Sequence, residues 1–146
     1  MRNHISRIGS HVFVKGAIEA VKLYKEAFNL EEDEGEPWLD DDGFLVYREL
    51  LQDGKLFLSI SEDKHMPAEL KIKYPDGVKP TMMFMVCFSE EDELRKASEL
   101  LCNDVNPCTK VIVNPDGAIT CDVFDKFGVY WWLCVPHDWN ASFVPK

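Results

Sequence analysis

The stretch FDKFGVYWWLCV, residues 124–135, decides the fold predicted for this chain. Its opening segment, Asp125 to Gly128, has the composition of a tight turn, with Gly128 where a positive φ is favoured. The apolar run that follows is typical of a strand buried on both faces. Because successive strand side chains point to opposite faces, Trp131 and Trp132 should enter different layers. We therefore expect a helix against one face and a cavity wall at the other.

The residues before this stretch predict a strand, a helix and two further strands. Residues 81–88 form an apolar strand, and Ser89 is the expected helix N-cap because acidic residues follow it. Residues 109–113 and 118–124 predict strands on either side of an Asn-Pro-Asp-Gly turn at 114–117. The predicted buried stripe of the helix is Leu94, Ala97, Ser98 and Leu101.

The same order of elements is predicted earlier in the chain. Residues 8–14 form a strand and residues 18–28 an amphipathic helix, whose apolar positions are Ile18, Val21, Tyr24, Ala27 and Phe28. A short polar strand falls within 31–39, and Asp53-Gly54 joins the strands 44–51 and 55–63 into a hairpin. The order of strand, helix and three strands thus occurs twice, in copies of about fifty-five residues that would hardly bury a sheet alone.

Composition predicts a soluble, cytoplasmic globular protein. Hydrophobic residues make up 46% of the chain, which is enough for a packed core, and no window is apolar and long enough to span a bilayer. The N-terminal residues lack the apolar stretch of a secretory signal. The cysteines number five and show no paired CxxC spacing, which disfavours a disulfide framework or a structural zinc site.

The net charge of −10 opposes binding to nucleic-acid phosphates or to an anionic membrane. We therefore predict neither nucleic acid nor membrane as a partner. Much of the charge lies in EEDEGEPWLDDD, residues 31–42. A calcium loop would need alternating carboxylates and a glycine at a fixed place, and this run lacks that spacing. We expect it to form a solvated hairpin or connecting loop.

Three phrases together resemble the PhnB-like branch of the vicinal oxygen chelate superfamily, which includes glyoxalase I, bleomycin-resistance proteins and extradiol dioxygenases. They are HVFVKGAIEAVKLYKEAF (11–28), YRELLQDGKLFLSISED (47–63) and VFDKFGVYWWL (123–133). The resemblance spans about residues 5–136. It implies an α+β fold of two tandem βαβββ modules, whose curved sheets wrap a cavity with the helices outside. It also implies a homodimer.

The resemblance sets the expected domain organisation. Residues 1–146 would form a single domain of the vicinal oxygen chelate type. Its parts would be module one at about 5–62, a connector at 63–80, module two at about 81–136 and a C-terminal tail at 137–146.

In metal-dependent relatives, four cavity-facing ligands come from the first, fourth, fifth and eighth strands, as histidines or glutamates. Carried over one at a time, these positions fall near Gly9, Ser59, Met83 and Trp132. None of these side chains is a competent ligand for a hard or borderline divalent metal. We therefore expect no metal and no other cofactor.

His11 is the best candidate for a polar group inside the cavity. A neutral imidazole there could orient a ligand or shuttle a proton, or it could be satisfied by its neighbours. Tyr47 and Glu49 should face the same cavity, where Glu49 could act as a base or anchor a cationic ligand. Alternatively, Glu49 pairs with Arg48 or Lys55 at a sheet edge. A partial metal site of His11, Tyr47 and Glu49 is a lesser alternative.

The remaining predicted lining is largely apolar and suits an apolar or aromatic ligand. Alternatively, these side chains fill a collapsed barrel, since methionine often fills core gaps. Cys134 shares their strand parity. The predicted ligand-binding residues are His11, Phe13, Tyr47, Glu49, Phe57, Ser59, Met83, Met85 and Trp132.

Three functions are compatible with these features. The first is a metal-independent small-molecule binding protein of the glyoxalase and bleomycin-resistance type, with a largely apolar pocket. The second is a glyoxalase-like lyase or isomerase with an atypical site around His11 and Glu49, and the third is a dimer with a filled cavity that acts through its acidic outer surface. The absence of the four metal ligands of the family favours a binding function over an enzymatic one. We assign no catalytic residue.

Overall fold

The structure is a computed structural model that describes Ile5, residues 8–70 and residues 82–137. It divides into two compact units, Met1–Tyr74 and Pro75–Lys146. Each unit has one α-helix and one open sheet, which confirms the α+β class and the two βαβββ modules. The end of the predicted connector and most of the predicted tail lie outside the described residues. Neither described helix combines the length and apolar character needed to cross a membrane.

The first unit has five strands and one α-helix, followed by two short 3₁₀ helices. In its sheet, β1 pairs in parallel with β5, β5 pairs with β4, and β4 pairs with both β2 and β3. The elements are β1 (His11–Val14), α1 (Ala17–Phe28), β2 (Glu31–Glu32), β3 (Trp38–Leu39), β4 (Leu45–Gln52), β5 (Lys55–Glu62) and the 3₁₀ helices Asp63–His65 and Ala68–Leu70.

The polar strand predicted within 31–39 is two short strands. Between them, Gly35 has φ +93° and Pro37 cannot donate a backbone hydrogen bond. The predicted Asp53-Gly54 hairpin is confirmed, and both of its turn residues have positive φ, 51° and 76°. That geometry suits the right-handed twist of the two strands that the turn joins.

Helix α1 packs on β1, β4 and β5 through one apolar stripe. The prediction that Ile18 belongs to this stripe is wrong, because Ile18 is 41% exposed. The helix begins one residue earlier than predicted, at Ala17. The buried positions are Ala17, Ala20, Val21, Tyr24, Ala27 and Phe28.

A residue of the last strand caps the N terminus of α1. The buried carboxylate of Glu62 accepts hydrogen bonds from the backbone N–H groups of Gly16, at 2.9 Å, and Ala17, at 2.8 Å. Gly16 is the N-cap residue, has φ +91° and brings no side chain to cap the helix. A carboxylate at this end satisfies free N–H groups and complements the helix dipole.

The acidic run 31–42 was expected to be solvated, but part of it forms hydrogen bonds and ion pairs with other residues of the first unit. Asp40 accepts a hydrogen bond from the backbone N–H of Phe44 and pairs with Lys64 and His65 at 3.2 and 3.0 Å. The Phe44 hydrogen bond is the main cause that lowers the pKa of Asp40 to about 2. This carboxylate joins the turn before β4 to the 3₁₀ helix after β5.

The second unit repeats the arrangement of the first. Its sheet order is β6-β9-β8-β7, with β6 and β9 parallel and the other pairs antiparallel. The predicted N-cap at Ser89 is wrong, because the helix begins at Glu91 after the extended N-cap Glu90. The elements are β6 (Phe84–Cys87), α2 (Glu91–Leu101), β7 (Ile112–Val113), β8 (Ile119–Phe124) and β9 (Tyr130–Val135).

The predicted turn before β9 is confirmed, with φ +87° at Gly128. The carboxylate of Asp125 is fully buried. Its Oδ1 accepts the backbone N–H groups of Phe127 and Val129, at 2.9 and 3.0 Å, and its Oδ2 accepts the indole N–H of Trp131 at 2.8 Å. One carboxylate therefore joins the turn to the largest side chain of the core.

The two tryptophans of β9 enter different layers, as predicted. Trp131 is fully buried on the face that α2 covers, and the predicted α2 stripe of Leu94, Ala97, Ser98 and Leu101 is buried. Trp132 lies on the opposite face and is half-buried, whereas Cys134 on that face is fully buried. The prediction of a strand buried on both faces therefore holds fully for the α2 face and only in part for the other.

Candidate functional site

The candidate site lies on the face of the first sheet opposite α1. His11 on β1 is the Cα partner of Ser59 on β5, and Ser59 is the partner of Glu49 on β4. Paired residues on neighbouring strands point to the same face of a sheet. The structure therefore brings together these predicted ligand-binding residues, with Phe13 and Tyr47 two positions along their strands on the same face.

Both ring nitrogens of His11 are hydrogen-bonded. Nδ1 lies 2.6 Å from Ser59 Oγ and Nε2 lies 2.9 Å from Ser61 Oγ. The Ser61 hydroxyl donates to the Val46 carbonyl at 2.6 Å, so it must accept its other hydrogen bond from His11 Nε2–H. The Ser59 hydroxyl lies much closer to Nδ1 than to the Ser10 carbonyl, at 2.6 against 3.4 Å, so we assign the neutral tautomer in which Ser59 donates to Nδ1. Burial lowers the pKa of His11, which also favours the neutral ring.

The observed geometry therefore matches the alternative prediction, in which neighbouring side chains make the hydrogen bonds of His11. A metal ion or a substrate proton would have to displace Ser59 or Ser61 before it reached a ring nitrogen. Sequence analysis did not identify Ser61. The signal that could have found it is strand alternation, because Ser61 lies two residues after Ser59 and shares its face.

Aromatic rings surround the imidazole. His11 and Phe13 meet edge to face, with ring centroids 4.6 Å apart, and His11 and Tyr47 are nearly parallel at 5.8 Å. Phe13 is 38% exposed and Tyr47 is 37% exposed. We call His11, Phe13 and Tyr47 the aromatic face. Its two outer rings keep surface on which a flat apolar group could stack.

Glu49 belongs to the same face. It accepts a hydrogen bond from the Tyr47 hydroxyl at 3.3 Å and is half-buried. The described contacts do not join Glu49 to Lys55 or to Arg48, so the predicted edge pair is wrong. The reason is that strand alternation turns the Arg48 side chain to the opposite face of β4.

Arg48 instead binds the acidic run on the opposite face. Its Nε lies 2.9 Å from Glu32 Oε1 and 3.3 Å from Asp33 Oδ1, and its Nη1 donates to the Gly35 carbonyl at 3.0 Å. Glu32 also pairs with Lys25 of α1 at 2.7 Å, and this hydrogen bond is the main cause that lowers the pKa of Glu32. These ion pairs hold β2 beside α1.

Phe57 does not follow simple alternation. A β-bulge between Leu50 and Leu51 shifts the register beside it, and the Phe57 ring lies 5.3 Å from the ring of Phe28 at the end of α1. Sequence alternation assumed a regular strand, so it grouped Phe57 with the cavity-facing residues. The observed contact associates Phe57 with the helix.

The other predicted ligand-binding residues lie in the second unit. Met85 on β6 is the Cα partner of Trp132 on β9, and Met85 is 54% exposed. Met83 precedes β6 and is also exposed. Cys134 lies two residues after Trp132, on the same face. These residues form a separate, sulfur-rich group within the second unit.

The positions carried over from metal-dependent relatives do not fit a divalent metal. Gly9 precedes β1 and has no side chain, and the Ser59 hydroxyl is engaged by His11. Met83 and Trp132 offer a thioether and an indole, which hard or borderline cations do not favour. Within the part of the chain that the structure describes, no three His, Cys, Asp or Glu side chains are grouped to hold a metal ion.

Sequence comparison identifies no relative: no family model matches the chain, and no curated protein matches it. Solved structures do match. The PhnB protein from Bacillus cereus is 18% identical with a TM-score of 0.64, and the match covers 90% of this chain and 100% of that one. Lactoylglutathione lyase from Agrobacterium tumefaciens is 12% identical with a TM-score of 0.55, covering 95% and 100%.

The fosfomycin resistance protein FosX from Mesorhizobium loti is 9% identical with a TM-score of 0.57, and the match covers 92% of this chain and 96% of that one. At these identities, the likeness is one of fold and carries no activity across. All three are members of one superfamily. The fold of this chain is therefore that of the vicinal oxygen chelate superfamily.

Proposed function

We propose that this chain is a metal-independent small-molecule binding protein of the glyoxalase and bleomycin-resistance type, and that the aromatic face forms part of its ligand site. One observation carries the proposal. Serine hydroxyls occupy both nitrogens of His11, while the rings of Phe13 and Tyr47 beside it remain more than a third exposed. Such a surface has little to offer a hard metal and suits an aromatic ligand.

Glu49 narrows the class of ligand. Its carboxylate lies beside Tyr47, and the face of a phenol ring attracts cations. A ligand with a flat apolar body and a positive charge would use both features. The net charge of −10 would also attract such a molecule from solution.

The alternative function, a glyoxalase-like lyase or isomerase around His11 and Glu49, receives less support. A general base needs a nitrogen within reach of the substrate proton, and both His11 nitrogens already have serine partners. We also propose assignment to the PhnB-like branch, a cytoplasmic location and a homodimer. Sedimentation of the purified chain would test the last of these.

The binding test uses an aromatic cation, such as a phenanthridinium dye, titrated at physiological salt. Phe13→Ala and Tyr47→Ala should each weaken binding by roughly tenfold, because a ring contact contributes about 0.5–1.5 kcal/mol beyond its buried area. Phe44→Ala is the matched control, since Phe44 is a similarly exposed ring of the same unit that packs against Lys64. Equal losses for all three variants would contradict a site at the aromatic face.

Trp132 is a predicted ligand-binding residue of the second unit, and its role is tested separately. If the ligand contacts its indole, binding should quench tryptophan fluorescence, and Trp132→Phe should remove most of that quenching. Trp38→Phe serves as the control because Trp38 is an exposed residue of the first unit. Quenching that survives Trp132→Phe would exclude Trp132 from the ligand site.

A further inference from the structure

Two cysteines of the second unit lie side by side on its sheet. Cys87 on β6 and Cys134 on β9 are Cα partners in a parallel pair, so their side chains share one face of the sheet. The two thiols lie close enough for each to influence the pKa of the other. Cys87 is exposed and Cys134 is buried, so a solvated group has access from the Cys87 side.

The spacing of these strands allows both sulfurs to reach one ion. Paired Cα atoms on neighbouring strands lie about 4.8 Å apart, a separation that a disulfide also tolerates. A metal ion between two sulfurs, with metal–sulfur bonds of about 2.3 Å, needs the sulfurs within about 4.6 Å of each other, which side chains of paired residues can meet. The reduced pair can therefore hold one ion, and the test is made on the reduced chain.

A third sulfur lies on the same face. Met85 is two residues before Cys87 on β6, and its side chain is 54% exposed. A methionine side chain has three flexible bonds, which allows its thioether to turn towards the two thiols. Two thiolates and a thioether form a donor set that selects soft ions, above all Cu(I), and disfavours Mg²⁺ or Ca²⁺.

We propose that Cys87, Cys134 and Met85 form a binding site for a soft monovalent cation, Cu(I). Two copper–thiolate bonds replace two S–H bonds, and both protons pass to solvent, so no electron is transferred. Affinity must therefore fall as the pH falls.

The chain contains its own control for this proposal. Cys102 and Cys108 form a second pair of neighbouring thiols after α2, where Cys102 also contacts Ser98 at 3.9 Å. Cys108 is exposed, as Cys87 is. Removing the Cys87 thiol or the Cys108 thiol therefore deletes one exposed sulfur from a thiol pair. The two variants differ only in which pair loses the sulfur.

The test is an anaerobic titration of the reduced chain with Cu(I) against a chromophoric Cu(I) chelator. We expect one tightly held ion per chain in the wild type and in Cys108→Ser. Cys87→Ser should weaken binding by more than about tenfold, and Met85→Leu, which conserves volume, by a smaller factor. Binding that is lost in Cys108→Ser and retained in Cys87→Ser would overturn the proposal.

A second measurement needs no variant and is independent of any folding defect. One equivalent of Cu(I) should protect Cys87 from alkylation by iodoacetamide, as read by peptide mass, while Cys108 remains open to alkylation. Alkylation of Cys87 at an unchanged rate would overturn the proposal. Protection of Cys108 alone would do so as well.

Discussion

The two units share one sheet order but are held by different buried carboxylates. In the first unit, Glu62 at the end of the last strand reaches the start of α1. In the second, Asp125 lies before the last strand and binds the indole of Trp131, and among the described residues no side chain caps α2 in the way that Glu62 caps α1. The apolar pattern thus specifies a topology that different polar contacts can stabilise.

The faces opposite the helices differ as well. The first sheet presents His11, Phe13 and Tyr47 with hydroxyl and carboxylate partners. The second presents the thiols of Cys87 and Cys134 beside Met85 and Trp132. Since the core-facing positions keep the same fold in both units, the opposite faces are free to diverge. In our two proposals, organic ligands stack on the first unit and a soft ion binds to the second.

The largest expected effect tests the anchor of the second unit. Asp125→Ala should lower the free energy of unfolding by about 3 kcal/mol or more, because it leaves three N–H donors, including the buried Trp131 indole, without their acceptor. Urea unfolding followed by tryptophan fluorescence measures the loss. Asp116→Ala is the control, since Asp116 accepts one hydrogen bond in an exposed turn. A loss no larger than that of the control would show that the turn is held mainly by its backbone.

The next effect concerns backbone conformation in the same turn. Gly128→Val should cost roughly 1–3 kcal/mol, because a β-branched residue is strained at positive φ. A Cβ at Gly128 would have no other atom within 4 Å, so the cost comes from φ and not from a clash. Gly128→Asn, which tolerates this conformation, should recover much of the melting temperature. Equal losses for Val and Asn would contradict this account.

A smaller effect is expected for the anchor of the first unit. Glu62→Ala should cost about 1–2 kcal/mol, the usual worth of a helix cap, and Glu62→Gln less because one acceptor remains. Urea unfolding with far-UV circular dichroism measures both variants. Glu26→Gln, an exposed change on α1, should be nearly neutral. If Glu62→Ala costs as much as Asp125→Ala, the two anchors are equivalent and the contrast between the units fails.

Much of the fold could be predicted from the sequence because its signals are local. Helical and alternating apolar periods identified both helices and the long strands, and the turns at 53–54, 114–117 and 125–128 fixed where they end. Errors arose where tertiary contacts override local preference. Ser89 has the chemistry of an N-cap, yet the helix begins two residues later, at Glu91. Glu62 caps Gly16 and Ala17, which precede it by 46 and 45 positions, so no local pattern reveals this contact.

The candidate site could also be predicted in part from the sequence. Alternation correctly placed His11, Tyr47, Glu49 and Ser59 on one face of the first sheet. It did not reveal which hydroxyls hold the imidazole, because those contacts depend on the register between β1 and β5. It also misplaced Phe57, because a bulge shifts the register beside it. Side-chain partners across strands therefore require the structure.

The smallest expected effect concerns the pH dependence of the first unit. Burial lowers the pKa of His11, so on acidification below about 6.5 the unfolded chain binds a proton that the folded chain does not yet bind. The free energy of unfolding should therefore fall as the pH drops from about 6.5 towards the folded pKa of His11. His11→Gln should flatten this slope, as measured by urea unfolding across this pH range. If the stability of the wild type instead rises on acidification, the folded chain favours a charged imidazole, with Glu49 on the same face as its counter-ion. That result would support an acid–base role for the aromatic face.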